Sequence, residues 1–138
     1  MKFIKIVTEH TMEQLDYISN SMLDSDNDIL LNIFDKYDYI NFRNDIGNIC
    51  TYIIIDSDID KLLDIYNNYN IRFTIFDISK DVLFDLIKSD GFVYDSFINE
   101  FINNYINSNI DVDVVLDKIN ELGIKSLNER DNSILKSI

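Results

Sequence analysis

The stretch ICTYIII, residues 49–55, decides the fold expected of this chain. Its seven residues are rich in β-branched and aromatic side chains, which favours a strand. Apolar side chains fall on both faces of that strand, as is typical of a strand in the interior of a sheet. The stretch therefore predicts a central strand with neighbours on both sides.

Three further strands are predicted around this one. Residues 39–43 precede it across the turn-forming residues 44–48, a pattern that favours a β-hairpin. Residues 2–7 and 71–78 alternate apolar and polar side chains, which is typical of strands. We expect one sheet of about four strands, with residues 49–55 in its interior.

Helical patterns separate these strands. Thr11 and Gln14 match a capping box and open a first helix. Residues 28–37 predict a short extra helix, and another helix begins after Ser57 or Asp58. The first 78 residues thus run strand, helix, strand, strand, helix, strand. That is the split βαβ order of a ferredoxin-like sandwich, with helices on one face of the sheet and the extra helix as an insertion.

After residue 78 the period is helical throughout. The pattern predicts a helix over 80–89, ended by Asp90-Gly91, and an apolar stripe at Phe97–Ile106. Asn109 or Asp111 opens a further helix through Leu122, and Ser126 or Asn128 caps a last helix over 129–137. The fold class is therefore α+β. A ferredoxin-like sheet domain (1–78) is expected to precede a helical extension (79–138), packed together as one unit.

Composition limits the location and the partners of the chain. Net charge is −13, from 25 acidic and 12 basic residues. Residues encoded by A/T-rich codons are abundant, which is typical of a phage, a mobile element or an AT-rich bacterium. Such codons favour Lys as well, so codon bias alone does not explain the excess of acidic residues. The excess of acid disfavours direct binding to nucleic acid or to an anionic membrane. One cysteine, no signal-peptide pattern and no membrane-length apolar run predict a soluble cytoplasmic protein.

The C-terminal segment 116–137 resembles a known element. Its residues 116–135 read LDKINELGIKSLNERDNSIL, a helix, a glycine stop and a capped helix. This resembles the short helical hairpin that ends many Bacteroidetes proteins, including some rhomboid-type intramembrane proteases. That pattern usually has Thr where Asn128 stands and two Glu where Arg130 and Asp131 stand. The resemblance implies a Bacteroidetes bacterium or its phage as the source. It implies no activity, because the proteases' membrane helices and catalytic residues are absent.

Few side chains are candidates for catalysis. His10, the only histidine, follows the first strand and is expected to be an exposed loop residue. Cys50 is expected to be a small buried hydrophobe, since a nucleophilic thiolate needs a positive surrounding that this chain hardly offers. The three glycines lack the spacing of a phosphate-binding loop. The sequence predicts neither an enzyme nor a cofactor.

Three runs of aspartate have two interpretations: Asp24-Asp26-Asp28, Asp56-Asp58-Asp60 and Asp111-Asp113. They resemble calcium-binding loops, and Asp35 even stands at the twelfth position of the first. However, Ile29 occupies the sixth position, where a calcium loop needs glycine. All three runs precede helical patterns, where aspartate caps the helix and interacts with its dipole. Helix caps are therefore favoured, and no metal site is predicted.

Carboxylates repeat at a spacing of four residues. Each such pair destabilises a helix by about 0.2–0.5 kcal/mol, so the repetition suggests that the charge serves a purpose. A solvated acidic surface is one interpretation, and an acidic face that docks on a basic groove of a protein partner is the other. The candidate partner-binding residues are Asp60, Asp64, Asp81, Asp85, Asp113, Asp117 and Glu121.

Two hypotheses about function follow. The first is a non-catalytic acidic interaction module encoded by a phage or mobile element. It would inhibit or modulate a host or defence protein by occupying a basic, nucleic-acid-binding surface, as a nucleic-acid mimic does. The alternative is a structural or assembly component that forms homo-oligomers through the apolar stripe Phe97–Ile106.

Overall fold

A computed structural model describes residues 1–87 and 96–137, which form one antiparallel sheet with helices around it. The strands are β1 (Lys2–Thr8), β2 (Tyr39–Arg43), β3 (Ile49–Ile55) and β4 (Phe73–Asp77). The helices are α1 (Met12–Ser21), α2 (Asp24–Lys36), α3 (Ile59–Asn68), α4 (Ser79–Leu83), α5 (Ser96–Asn109), α6 (Val112–Leu122) and α7 (Glu129–Lys136), with a 3-10 turn at Ile124–Ser126. The helix predicted over 80–89 was too long, because α4 ends at Leu83 and residues 84–87 are not helical. The predicted Asp90-Gly91 stop lies outside the described residues.

The sheet has the order β2-β3-β1-β4, and every pair of neighbours is antiparallel. β3 lies between β2 and β1, so the prediction of a central strand at residues 49–55 is confirmed. The hairpin between β2 and β3 is confirmed too. Its turn is closed by the Asn44 N–H, which donates to the Asn48 carbonyl, and Gly47 supplies a φ of +87°. No strand follows β4 in the described part of the chain.

Helices cover both faces of the sheet, so the prediction of helices on one face was wrong. Side chains alternate along β3. Ile53 and Ile55 contribute to one hydrophobic cluster with α2 and α3, whereas Cys50 and Tyr52 contribute to another with α4 and α5. The physical reason lies in β3 itself, because a strand that is apolar on both faces must be shielded from water on both.

The helix predicted at 28–37 was treated as a short insertion, which underestimated its length and its contribution to the core. It is α2, thirteen residues long, and its Ile33 is buried against Ile4 and Ile53 of the sheet. α1 has no buried residue, although its predicted capping box of Thr11 and Gln14 is confirmed. α2 rather than α1 therefore covers the sheet beside α3.

The apolar stripe at Phe97–Ile106 packs on the second face of the sheet. Tyr105 and Ile106 are buried, and the rings of Phe101 and Tyr105 meet the ring of Phe3 edge to face at 5.6 and 5.0 Å. Phe97, at the start of α5, is 71% exposed. Most side chains of the stripe are therefore part of the hydrophobic core, where the sheet shields them from water.

Candidate functional site

The predicted row of carboxylates Asp113, Asp117 and Glu121 lies on one exposed face of α6. α6 begins at the cap residue Asp111, whose Oδ1 accepts a hydrogen bond of 3.0 Å from the Val114 N–H. Val115 and Lys118 point inward from the helix and are buried. The structure therefore confirms the helical spacing that brings these three carboxylates onto one face, which is called the α6 ladder below.

A second pair of carboxylates, Asp60 and Asp64, lies on the exposed side of α3, opposite the buried Leu62 and Ile65. α3 covers one face of the sheet. The α6 ladder lies on the other side of the molecule, since Glu121 forms an ion pair with Lys80 of α4, and α4 packs on the second face. The two sets of carboxylates therefore belong to helices associated with opposite faces of the sheet.

The predicted helical pair of Asp81 and Asp85 was wrong in its geometry. α4 ends at Leu83, and the next residue, Phe84, is its C-cap and is 4% exposed. Asp85 follows in a left-handed conformation, with a φ of +56°. Its side chain lies 3.9 Å from Lys118 and accepts a hydrogen bond from the Asn128 amide. Asp85 is therefore held by the chain's own polar groups rather than presented beside Asp81.

Two of the seven candidate carboxylates form ion pairs among the described residues. Glu121 pairs with Lys80, and Asp85 lies near both Lys118 and Arg130. Within residues 1–87 and 96–137, no ion pair involves the other five, which are Asp60, Asp64, Asp81, Asp113 and Asp117. Their negative charge is available for attraction to a basic partner.

The aspartate run at residues 56–60 does not cap α3 as predicted. Asp58 stands at the cap position, but its side chain makes no capping hydrogen bond. The hydroxyl of Tyr37 instead lies 2.6 Å from Asp56 Oδ1 and 2.6 Å from Asp58 Oδ2. A hydroxyl carries one proton, so it donates to one carboxylate at a time. Lys36 and Lys61 approach Asp58 at 3.1 and 3.3 Å and balance its charge.

This cluster shifts the acidity of its members. Hydrogen bonds from Tyr37, Lys36 and Lys61 lower the pKa of Asp58 from 3.8 to about 2. The Asp58 backbone N–H and the Tyr37 hydroxyl lower the pKa of Asp56 as well. Burial, together with the hydrogen bonds to both carboxylates, raises the pKa of Tyr37 from 10.0 to about 12. These hydrogen bonds and ion pairs join the end of α2 to the start of α3.

The Tyr37 cluster is expected to make stability depend on pH at both extremes. Folding lowers the pKa of Asp58, so its contribution is present above 3.8 and is lost as the pH falls towards 2. Folding raises the pKa of Tyr37, so its contribution is present below 10 and is lost as the pH rises towards 12. Thermal melting of Tyr37→Phe should depend less on pH than that of the wild type in both windows.

The matched control is Tyr39→Phe, which removes the hydroxyl of a 42%-exposed tyrosine on β2. It should keep the pH profile of the wild type. Superimposable profiles for Tyr37→Phe and the wild type would contradict the role assigned to this hydroxyl.

The other two aspartate runs lie at helix starts. Asp24 and Asp26 are in the first turn of α2, where they interact favourably with the helix dipole, but the cap position belongs to Leu23. Asp26 also accepts a hydrogen bond of 2.6 Å from the Tyr69 hydroxyl. The capping role predicted for Asp111 is confirmed. In the described part of the chain, no three His, Cys, Asp or Glu side chains are grouped so that they could hold a metal ion.

Calcium at millimolar concentration is expected to leave the melting temperature nearly unchanged. Binding at one hundred times the dissociation constant would stabilise the fold by about 2.7 kcal/mol, which is a shift of several degrees. Melting curves with calcium, with magnesium and with neither would show such a shift. Stabilisation by calcium alone would contradict the structural role given to these aspartates.

His10 is buried, at 8% exposure, and not exposed as expected. Its Nε2 accepts a hydrogen bond of 2.9 Å from the Arg72 backbone N–H, which ties the start of α1 to the start of β4. Cys50 is fully buried in the cluster around Phe3, as predicted. His10 also lines a cavity of about 730 Å³ together with Tyr17 and Arg72.

Sequence reasoning missed a buried ion pair between Lys118 of α6 and Asp131 of α7. Asn128 and Asp131 form a capping box at the start of α7, and their spacing could have revealed that contact. No local pattern indicates that the Asp131 side chain would be fully buried or that Lys118 would reach it.

Comparison with known proteins found no relative of this chain. No protein-family model matches the chain, and no curated protein or solved structure matches it either. None of the helices formed by residues 1–87 and 96–137 has the length and apolar character needed to cross a membrane.

Proposed function

We propose that this chain is a non-catalytic interaction protein that uses an acidic helix face to occupy a basic surface of another protein. The observation that carries the proposal is the α6 ladder. Asp113 and Asp117 are exposed on one helix face with no cation beside them in the described structure, in a chain of net charge −13. Such a face attracts a basic partner over a distance and speeds its association.

The spacing of the ladder suggests the kind of surface that it fits. Carboxylates four residues apart on a helix are about 6 Å apart along its axis, so they form a regular row of negative charge. A groove that binds nucleic acid carries lysine and arginine side chains that neutralise phosphates. We therefore infer that the partner is a nucleic-acid-binding host or defence protein, and that the chain inhibits it as a nucleic-acid mimic. The codon-biased composition and the resemblance of residues 116–137 support a phage or mobile element of Bacteroidetes as its source.

We also propose that residues 1–78 have the ferredoxin-like arrangement. The strand order β2-β3-β1-β4, with every neighbour antiparallel, supports this proposal. So does the position of α2 and α3 on the same face of the sheet. In this arrangement α1 is an additional peripheral helix, and α4 and α5 cover the face that the simplest version leaves open.

Neutralising the α6 ladder is expected to weaken binding to the partner. The variant Asp113→Asn/Asp117→Asn removes two charges, keeps the Lys80–Glu121 ion pair and relieves a like-charge repulsion of about 0.2–0.5 kcal/mol. Its melting temperature should therefore equal or slightly exceed that of the wild type. Its rate of association with the partner should fall and should depend less on salt concentration, because the charges that attract the partner are removed.

The matched control is Asp60→Asn/Asp64→Asn on α3, which removes the same charge from the opposite side of the molecule. Proteins retained from a bacterial lysate at low salt and released at high salt would be identified, and their association rates measured across a salt series. A larger effect for α6 than for α3 supports the proposal. Equal affinity and equal salt dependence for the wild type and both variants would refute it.

The alternative of an assembly component relies on the stripe Phe97–Ile106. Five of its residues belong to the cluster around Phe3 or pack against it, and this leaves little of the stripe for a second copy: Ile98, Phe101, Ile102, Tyr105 and Ile106. A mass that rises with protein concentration and is insensitive to salt would favour this alternative. Light scattering over a range of concentrations measures it.

A further inference from the structure

The C-terminal hairpin, formed by α6, the 3-10 turn and α7, lies outside both hydrophobic clusters. Among the described residues, no side chain after Ile110 belongs to either cluster. The buried residues of α6 are Val115 and Lys118, and the one buried residue of α7 is Asp131. A charged side chain thus stands where a packed helix usually buries an apolar one.

Lys118 and Asp131 form an ion pair that is almost completely removed from water. Lys118 Nζ lies 2.7 Å from Asp131 Oδ2, and the two side chains are 3% and 0% exposed. The same oxygen accepts the Asn128 backbone N–H at 3.0 Å. In a buried pair the cost of desolvation nearly cancels the attraction, but the loss of one partner leaves an uncompensated charge. The apolar residues Ile134 and Leu135 of α7 are only half-buried, so the packing of α7 relies strongly on this pair.

Polar contacts also connect α7 to the segment after α4. The Asn128 amide donates to Asp85 Oδ2, and Arg130 Nη1 lies 3.9 Å from Asp85 Oδ1. Lys118 Nζ lies 3.9 Å from Asp85 Oδ2 as well. Breaking these contacts exposes charged groups to water, which solvates them well, and exposes little apolar surface. Opening of this region should therefore cost less free energy than unfolding of the sheet.

We propose that α7 is a strap that opens as a unit while the sheet and both clusters stay folded, with the Lys118–Asp131 pair as its lock. Opening moves Arg130 away from Asp85 and exposes the Lys118 ammonium. The strap thus changes the charge presented beside α6 without any change in the fold of the sheet.

Hydrogen exchange of the full chain, followed by mass spectrometry, tests the strap. In the wild type, peptides from residues 129–137 should exchange at least about tenfold faster than peptides from β3. In Lys118→Met, which leaves Asp131 buried without its cation, exchange in 129–137 should rise at least another tenfold or so, with β3 unchanged. Lys125→Met, at an exposed lysine of the 3-10 turn, is the control and should leave both peptides unchanged.

A second variant keeps the test decisive if Lys118→Met disturbs folding. In Lys118→Met/Asp131→Asn both charges are removed, while an amide oxygen at position 131 can still accept the Asn128 N–H, so protection of 129–137 should rise above that of Lys118→Met. Failure of the double variant to restore protection would contradict the role of the pair as a lock. Exchange of α7 and β3 at one common rate in the wild type, or an equal rise in both in Lys118→Met, would overturn the strap itself.

Discussion

Replacing Phe3 by alanine is expected to lower the free energy of unfolding by about 3–5 kcal/mol. Phe3 is fully buried in β1, and its ring lies edge to face with those of Tyr52, Phe101 and Tyr105 at 5.3, 5.6 and 5.0 Å. Rigid aromatic neighbours fill a vacated space poorly, so a cavity remains beside the lost contacts. A domain of this size has only about 5–15 kcal/mol of stability in total, so the variant should be marginally folded.

Urea and thermal denaturation measure this effect, and a loss of this size should lower the melting temperature by about 10 °C or more. Tyr17→Ala is the matched control, because it deletes an aromatic ring that is 74% exposed on α1. It should change stability by no more than about 0.5 kcal/mol. Similar losses in the two variants would show that Phe3 does not occupy the core described for it.

Replacing Ile53 by alanine is expected to cost about 2–5 kcal/mol through the opposite face of the sheet. Ile53 is fully buried in the middle of β3 and belongs to the cluster that contains Ile33 of α2 and Leu62 of α3. Three elements that are distant in sequence converge on this side chain, so a cavity there weakens the attachment of both helices at once. Tryptophan is absent from the chain, so far-UV circular dichroism is the suitable probe of unfolding.

Ile46→Ala is the control for Ile53, since Ile46 lies in the turn between β2 and β3 and is 77% exposed. Its stability should stay within about 0.5 kcal/mol of the wild type. Because β3 contributes to both clusters, Phe3→Ala and Ile53→Ala should each shift one cooperative transition of the sheet. Two separate transitions in either variant would contradict a sheet stabilised jointly from both faces.

The strands could be predicted from the sequence almost to the residue. β2 and β3 have the predicted bounds of 39–43 and 49–55, because alternation and turn-forming residues act over short distances. Capping of α1 by Thr11 and of α7 by Asn128 follows from equally local chemistry. These features depend on neighbours within about four residues along the chain.

Which helix covers the sheet could not be read from the helical patterns. α1 and α2 have similar apolar periodicity, yet α2 is buried on Ile4 and Ile53 while α1 stays at the periphery. The choice depends on which helix reaches the sheet once the strands have paired. That outcome depends on the chain connections and on which helix buries the apolar face of the sheet. The sequence of one helix therefore does not determine it.

For the candidate partner surface, too, the sequence predicted local spacing but not the relative position of distant residues. The sequence by itself determined that Asp113, Asp117 and Glu121 share one side of α6, because four residues make about one helical turn. Only the tertiary structure decided that Asp60 and Asp64 belong to a helix on the other face of the sheet, and that the exposed Asp85 lies beside Lys118 and Asn128. Spacing within a helix is set by backbone geometry. The position of a charge relative to a distant charge is set by packing, because the burial of Phe84 and of the Lys118–Asp131 pair directs the chain there.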